Sequence, residues 1–162
     1  MKKQLYLILS HHIDTDSVYN TLVGAYKSMN AAIVSMRGAI WEDFECVKEW
    51  WEEEDCDEME IEEQYQEWIE ENYTDEKLEL WSFTDDDPME HTYAIRTVEV
   101  DDDCKGKMHA LLCTRIDGIE NKTDVVGIYS TKKLATEALE KLEANEVENE
   151  IDIYYSVKEF KL

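Results

Sequence analysis

Shifted by 103 positions, residues 9–36 lie over residues 112–139 without a gap. Seven of those 28 positions are identical: Leu9/Leu112, Ile13/Ile116, Asp14/Asp117, Val23/Val126, Gly24/Gly127, Tyr26/Tyr129 and Ala32/Ala135. Apolar residues also coincide at Ile8/Leu111, Leu22/Val125 and Met36/Leu139. Further on, residues 93–100 lie over 155–162 at an offset of 62, with Ile95 on Val157, Val98 on Phe160 and Val100 on Leu162. This is the pattern of an internal duplication. It requires each copy to form a small unit and to cover the apolar surface of the other.

Each copy reads as two strands, a helix and a strand. In the second, residues 108–115 and 124–129 are apolar runs flanking a polar stretch from Asp117-Gly118 to Lys122, a hairpin pattern. Ser130 or Thr131 then caps a helix whose Leu134, Ala135, Ala138, Leu139 and Leu142 fall on one stripe, and residues 151–162 close as a strand. The first copy has strands over 4–10 and 21–26, a helix capped by Ser28 and ended by Gly38, and a strand over 92–100. The expected fold class is α+β, two tandem ββαβ-like repeats over 1–100 and 101–162. Neither unit can bury both faces of its sheet alone, so the two pack through one continuous sheet or through facing helices.

The two offsets differ by about 41 residues, so the first repeat carries an acidic helical insertion, placed within residues 41–90. That segment holds 23 Asp or Glu against Lys48 and Lys77, whereas the other 112 residues hold 17 acids and 14 bases. Of the formal charge of -24, the insertion therefore carries -21. All five tryptophans, Trp41, Trp50, Trp51, Trp68 and Trp81, lie in it too. A salt-adapted protein would spread its acids over the whole surface, and a disordered acidic tract would lack the large apolar residues. Here Phe44, Val47 and Trp51, then Ile61, Tyr65, Trp68 and Ile69, recur at helical spacing. Two amphipathic helices are expected, about 41–55 and 58–72. A strand near 77–83 follows, then a turn at Asp85-Asp86-Asp87-Pro88.

The polar faces of those helices carry Glu42, Asp43, Glu45, Glu49, Glu52, Glu53 and Glu54, then Glu60, Glu62, Glu63, Glu67, Glu70 and Glu71. Like charges at i, i+3 and i+4 each cost a helix about 0.2–0.5 kcal/mol. A merely solvated face would intersperse lysine and arginine. A helix presents a side chain about every 5.4 Å per turn and one DNA strand a phosphate about every 3.4 Å, so two adjacent acidic helices approach the charge density of a nucleic-acid backbone. A protein with a basic groove would bind such a surface, its association accelerated by the complementary fields. The candidate partner-binding residues are Glu45, Glu49, Glu52, Glu53, Glu54, Asp55, Glu60, Glu63, Glu67, Glu70 and Glu71. Trp50 and Trp81 are candidate exposed anchors, and the other tryptophans helix core.

Acidity of this density on a small domain resembles the nucleic-acid-mimic inhibitors of bacteriophages and mobile elements: anti-restriction proteins, uracil-glycosylase inhibitors and anti-CRISPR proteins. The likeness covers the 41–90 segment and is compositional. The repeated Val23-Gly24-Ala25-Tyr26 and Val126-Gly127-Ile128-Tyr129-Ser130 also look like small phage-encoded α/β proteins. The resemblance implies a non-enzymatic inhibitor in the host bacterial cytoplasm that occupies the groove of a nucleic-acid-binding defence enzyme. A CRISPR effector nuclease heads the list of targets, followed by a restriction enzyme and a repair glycosylase. The alternative is an acidic interaction or structural module whose basic partner has no link to nucleic acid.

The remaining functional classes fare worse. The negative charge opposes direct binding to nucleic acid or an anionic membrane, and no run of 18 apolar residues is present to span a bilayer. Four cysteines, Cys46, Cys56, Cys104 and Cys113, are too sparse for a disulfide scaffold and wrongly spaced for zinc; Cys113 reads as core. A reduced, intracellular protein is expected. His11, His12 and Asp14 at the end of the first strand are the candidates for an enzyme reading, with no nucleophile pattern beside them. Asp14-Thr15-Asp16-Ser17 starts like a calcium loop but has Tyr19 and Ala25 where glycine and glutamate are needed. No glycine cluster forms a phosphate loop, so no cofactor or metal is expected.

Overall fold

The computed structural model describes residues 1–14, 17–53, 60, 62–63, 66–67, 70–71, 79–81, 90–102, 104–117, 121–145 and 152–162. The elements are β1 (Lys2–Ile13), β2 (Val18–Tyr26), α1 (Met29–Glu53), β3 (Glu79–Trp81), β4 (Glu90–Asp101), β5 (Lys107–Ile116), β6 (Asn121–Tyr129), α2 (Lys132–Ala144) and β7 (Asp152–Lys161). They form a mixed α+β fold with two antiparallel sheets, ordered β2-β1-β4-β3 and β6-β5-β7. Asp117 to Lys122 was expected as a turn, yet β6 already begins at Asn121. The pairs Arg115–Lys122 and Ile116–Asn121 extend the ladder into that polar stretch.

The two sheets lie face to face, an arrangement that neither a single continuous sheet nor facing helices anticipates. The physical reason is in β1. Leu5, Leu7 and Leu9 point one way and Ile8 the other, and all four are buried, the signature of a strand covered on both faces. The leucine side meets Met108, Ala110 and Leu112 of β5 and Phe160 of β7, together with Val100 of β4. Ile8, with Tyr93 and Ile95 of β4, meets Ala32, Met36 and Ile40 of α1. On the far side, α2 packs on β5, β6 and β7 with Ala135 fully buried. The layers therefore run helix, sheet, sheet, helix.

Local chemistry sets the helix starts. Leu134 N–H donates to the Thr131 side chain at 3.2 Å, and Ala31 N–H to Ser28 Oγ at 3.4 Å, each satisfying an orphan donor of the first turn. Gly38 does not end the first helix: α1 runs through it, so the helix that starts after Ser28 and the first acidic helix are one element of 25 residues. Ala32, Met36, Ile40 and Phe44 recur every four residues across Gly38, and all are at most 1% exposed. The burial of that stripe outweighs a glycine penalty of about 1 kcal/mol.

Both hairpins bear the same irregularity. The β1–β2 register shifts between Ile8 and Leu9, and the β5–β6 register between Leu111 and Leu112, 103 positions on. Next to each bulge a tyrosine ring folds back over a glycine. A Cβ at Gly24 would stand 2.7 Å from the Tyr26 ring, and one at Gly127 would stand 2.7 Å from the Tyr129 hydroxyl. Only glycine leaves room for these rings.

Candidate functional site

α1 carries the beginning of the acidic surface. Glu42, Glu45 and Glu49 are exposed along it, and beyond it Glu60, Glu62, Glu63, Glu67, Glu70 and Glu71 are helical and exposed. Trp50, Glu52 and Glu53 have helical backbone, and Trp81 lies in β3. Glu54 and Asp55 fall outside the described residues, as do Val47, Trp51, Ile61, Tyr65, Trp68 and Ile69 of the apolar stripes and the Asp85–Pro88 turn, in side chain or altogether. Glu63, Glu67 and Glu70 share a helix face through their spacing of four and three.

Between these helical stretches lies a groove of about 520 Å³. Trp41 and Phe44 of α1 line one side; Glu62, Glu63, Glu67 and Glu70 line the other. Phe44 is buried, whereas Trp41 is 42% exposed, with its ring 5.4 Å from that of Phe44. Sequence reasoning counted Trp41 as core. Its position three residues before Phe44 turns it to the flank of the buried stripe, and only the packing of α1 on the sheet fixes which flank stays open.

Asp43 departs from the expected solvated face. Its Oδ2 accepts from the Tyr93 hydroxyl at 2.9 Å and lies 3.3 Å from His91 Nδ1. His91 Nε2 in turn lies 2.9 Å from Ser10 Oγ, and the His91 ring stacks on His12 with centroids 5.4 Å apart. The facing carboxylate favours a proton on Nδ1, which leaves Nε2 to accept from Ser10. Burial, the largest influence, pushes the His91 pKa down; Asp43 opposes this, and His12 and His11 add to it. Burial first, then Asp43, raises Tyr93 well above the ordinary tyrosine range, so it remains a hydrogen-bond donor. Ser10, His91 and Asp43 stand in the order of a hydrolytic triad. Ser10 however is only 5% exposed, on the strand face covered by α1, and a nucleophile needs room for substrate. The cluster acts as a clamp that fixes the root of the acidic helix to the sheet. Sequence reasoning missed it because His91 faces His12 only through the β1–β4 register.

His11, the other enzyme candidate, points into the sandwich instead. It is 3% exposed, with Nδ1 3.0 Å from Thr123 Oγ1. Thr123 bonds to Thr114 at 2.9 Å, Asn20 donates to Thr114 at 2.9 Å, and Ser156 donates to Asn20. His11 and Thr114 are 103 positions apart, as are Asn20 and Thr123, so two cross-sheet pairs are reciprocal like those across a two-fold interface. Asp14 follows β1 directly, and its backbone N–H donates to Ser17 O at 2.9 Å. His11 and His12 thus lie on opposite faces of β1. Cys113 is buried, as expected for core. Among the described residues no group of three or more His, Cys, Asp or Glu is placed to hold a metal, and no helix is long and apolar enough to cross a membrane.

No family model, no curated protein and no solved structure matches this chain. The functional reading therefore rests on the groove, the clamp and the acidic surface.

Proposed function

We propose that this protein is a non-enzymatic inhibitor of phage type that occupies the basic groove of a nucleic-acid-binding host enzyme by imitating the charge of DNA or RNA. The observation that carries the reading is the run of exposed carboxylates along α1 and the helical residues after it, within a segment whose only cations are Lys48 and Lys77. The clamp through Asp43 supports it, since a mimic needs its charges held in fixed positions. A CRISPR effector nuclease is the first target to test, then a restriction enzyme or repair glycosylase, all reached in a bacterial cytoplasm.

We infer further that the chain is a tandem duplication over 1–100 and 101–162, with the acidic insertion at about 41–90. The matched strand orders, the bulges 103 positions apart and the reciprocal His11–Thr123 and Asn20–Thr114 pairs support this.

The test is retention of a host enzyme on the immobilised protein at about 0.1 M salt, followed by elution with duplex DNA or guide RNA. Release by nucleic acid is expected, together with loss of binding when Glu45, Glu49, Glu63 and Glu67 are reversed to lysine in a variant that stays folded. A partner that nucleic acid cannot displace would sink mimicry and favour an acidic interaction module.

A further inference from the structure

A second groove belongs to the sandwich rather than to the acidic insertion. Between β4 and β6, strands of opposing sheets, the shared core reaches the surface in a groove of about 540 Å³. Small-molecule sites fall in the range of about 300–1,000 Å³. The floor is apolar: Val100 and Met108 belong to the core, and Val98, Val125 and Ile128 pack against it. Two apolar side chains stand open on the wall, Val126 of β6 at 45% exposure and Leu134 of α2 at 47%. The bulge accounts for Val126: Val125 pairs with Leu112 and Gly127 with Leu111, so Val126 is the extra residue that the bulge turns outward. By the offset of 62, Val98 matches Phe160, whose larger side chain is buried in the other half.

The rim is polar and net negative. Lys2 stands opposite Asp101 in the β1–β4 register, and its Nζ lies 4.0 Å from Glu99 Oε2. Among the described lining residues, one lysine therefore serves two carboxylates. Ser130 adds a hydroxyl that can accept a hydrogen bond. The head group of an acid would bring a further negative charge to this rim, and a chain of formal charge -24 repels anions from a distance. An ammonium head meets the carboxylate that Lys2 leaves over, while its hydrocarbon covers the apolar floor. We propose that the groove between β4 and β6 binds a small cationic amphiphile, an apolar chain or ring carrying an ammonium group. The site does not rest on mimicry, because each residue named for it lies outside the 41–90 segment.

Amide-resolved NMR titration of the full chain with octylammonium, hexylammonium and octanoate at about 0.1 M salt tests the proposal. Octylammonium is expected to shift the amides of Val98, Val126, Gly127 and Leu134. The affinity of hexylammonium should be lower by about five-fold or more, since it buries two fewer methylenes. Octanoate, with an apolar tail and the opposite head, should bind more weakly than octylammonium, and Asp101→Asn should narrow that gap by about two-fold. Val98→Phe, which installs the residue of the matched position, should abolish the shifts. Val126→Lys changes an exposed side chain, which guards against misfolding as the cause, and should weaken octylammonium by about five-fold or more. Glu45→Gln with Glu49→Gln should leave all three affinities nearly unchanged. Equal affinity for the two amines, or shifts confined to α1 and the acidic residues beyond it, would overturn the groove in favour of diffuse attraction. Octanoate binding as tightly as octylammonium would overturn the ammonium preference, and unshifted groove amides would overturn the site. Competition with nucleic acid is read separately by the retention assay, so the failure of either reading leaves the other standing.

Discussion

Replacing Thr114 by valine keeps the shape of a fully buried side chain and deletes one hydroxyl at the centre of the two-sheet interface. That hydroxyl accepts from Asn20 Nδ2 at 2.9 Å and bonds to Thr123 Oγ1 at 2.9 Å. Without it the Asn20 amide, 9% exposed, keeps Ser156 on its carbonyl but loses the acceptor for its N–H group. Leaving a buried donor unpaired costs about 1–3 kcal/mol. Thr123 retains His11, and the added methyl returns part of the loss through burial, about 0.8 kcal/mol. The net expectation is a destabilisation of about 1–2 kcal/mol, or a Tm lower by about 2–8 °C for a chain of this size. Urea unfolding followed by far-ultraviolet circular dichroism measures it, with an unchanged m-value showing that the compactness of the end states is preserved. The companion Asn20→Leu with Thr114→Val removes both members of that bond and should recover part of the loss, because paired apolar replacement is close to neutral, while the half-buried Ser156 hydroxyl loses its acceptor. A neutral single variant, or a double variant showing only the sum of two losses, would refute the reasoning that the buried Asn20 amide depends on Thr114 for its acceptor.

Two further outcomes follow from the clamp and from α1. Because His91 has its pKa lowered by burial, the unfolded chain binds a proton first as pH falls. The stability contributed by neutral His91 is complete above the ordinary histidine value of about 6.5 and declines below it. Tm should therefore fall more steeply between about pH 7 and pH 5.5 in the parent than in His91→Gln, a comparison that cancels the titration of the surface acids; parallel curves would dismiss the effect. Gly38→Ala should raise stability by up to about 1 kcal/mol in the same urea assay, since the helix continues through an exposed site where an added Cβ meets nothing within 4 Å. A loss of stability there would mean that the helix breaks at Gly38 in solution.

The elements that depend on neighbours close along the chain are legible in the amino-acid order. Hydrophobic periodicity fixed the strands around Leu5–Leu9 and Met108–Cys113, capping chemistry fixed the helix starts at Ser28 and Thr131, and local composition fixed where the charge lies. Sequence reasoning misjudged Gly38, because a local stop signal competes with a buried stripe whose value appears only once the helix packs on the sheet. Tertiary structure alone decided that the sheets meet face to face, that His11 belongs to their interface, and that Asp43 is bound to Tyr93 and His91 rather than displayed with its acidic neighbours. Each of these depends on contacts between residues 48 or more positions apart. A side chain's sequence neighbours state only which face of its own element it occupies, and what that face meets is set by the packing of whole layers.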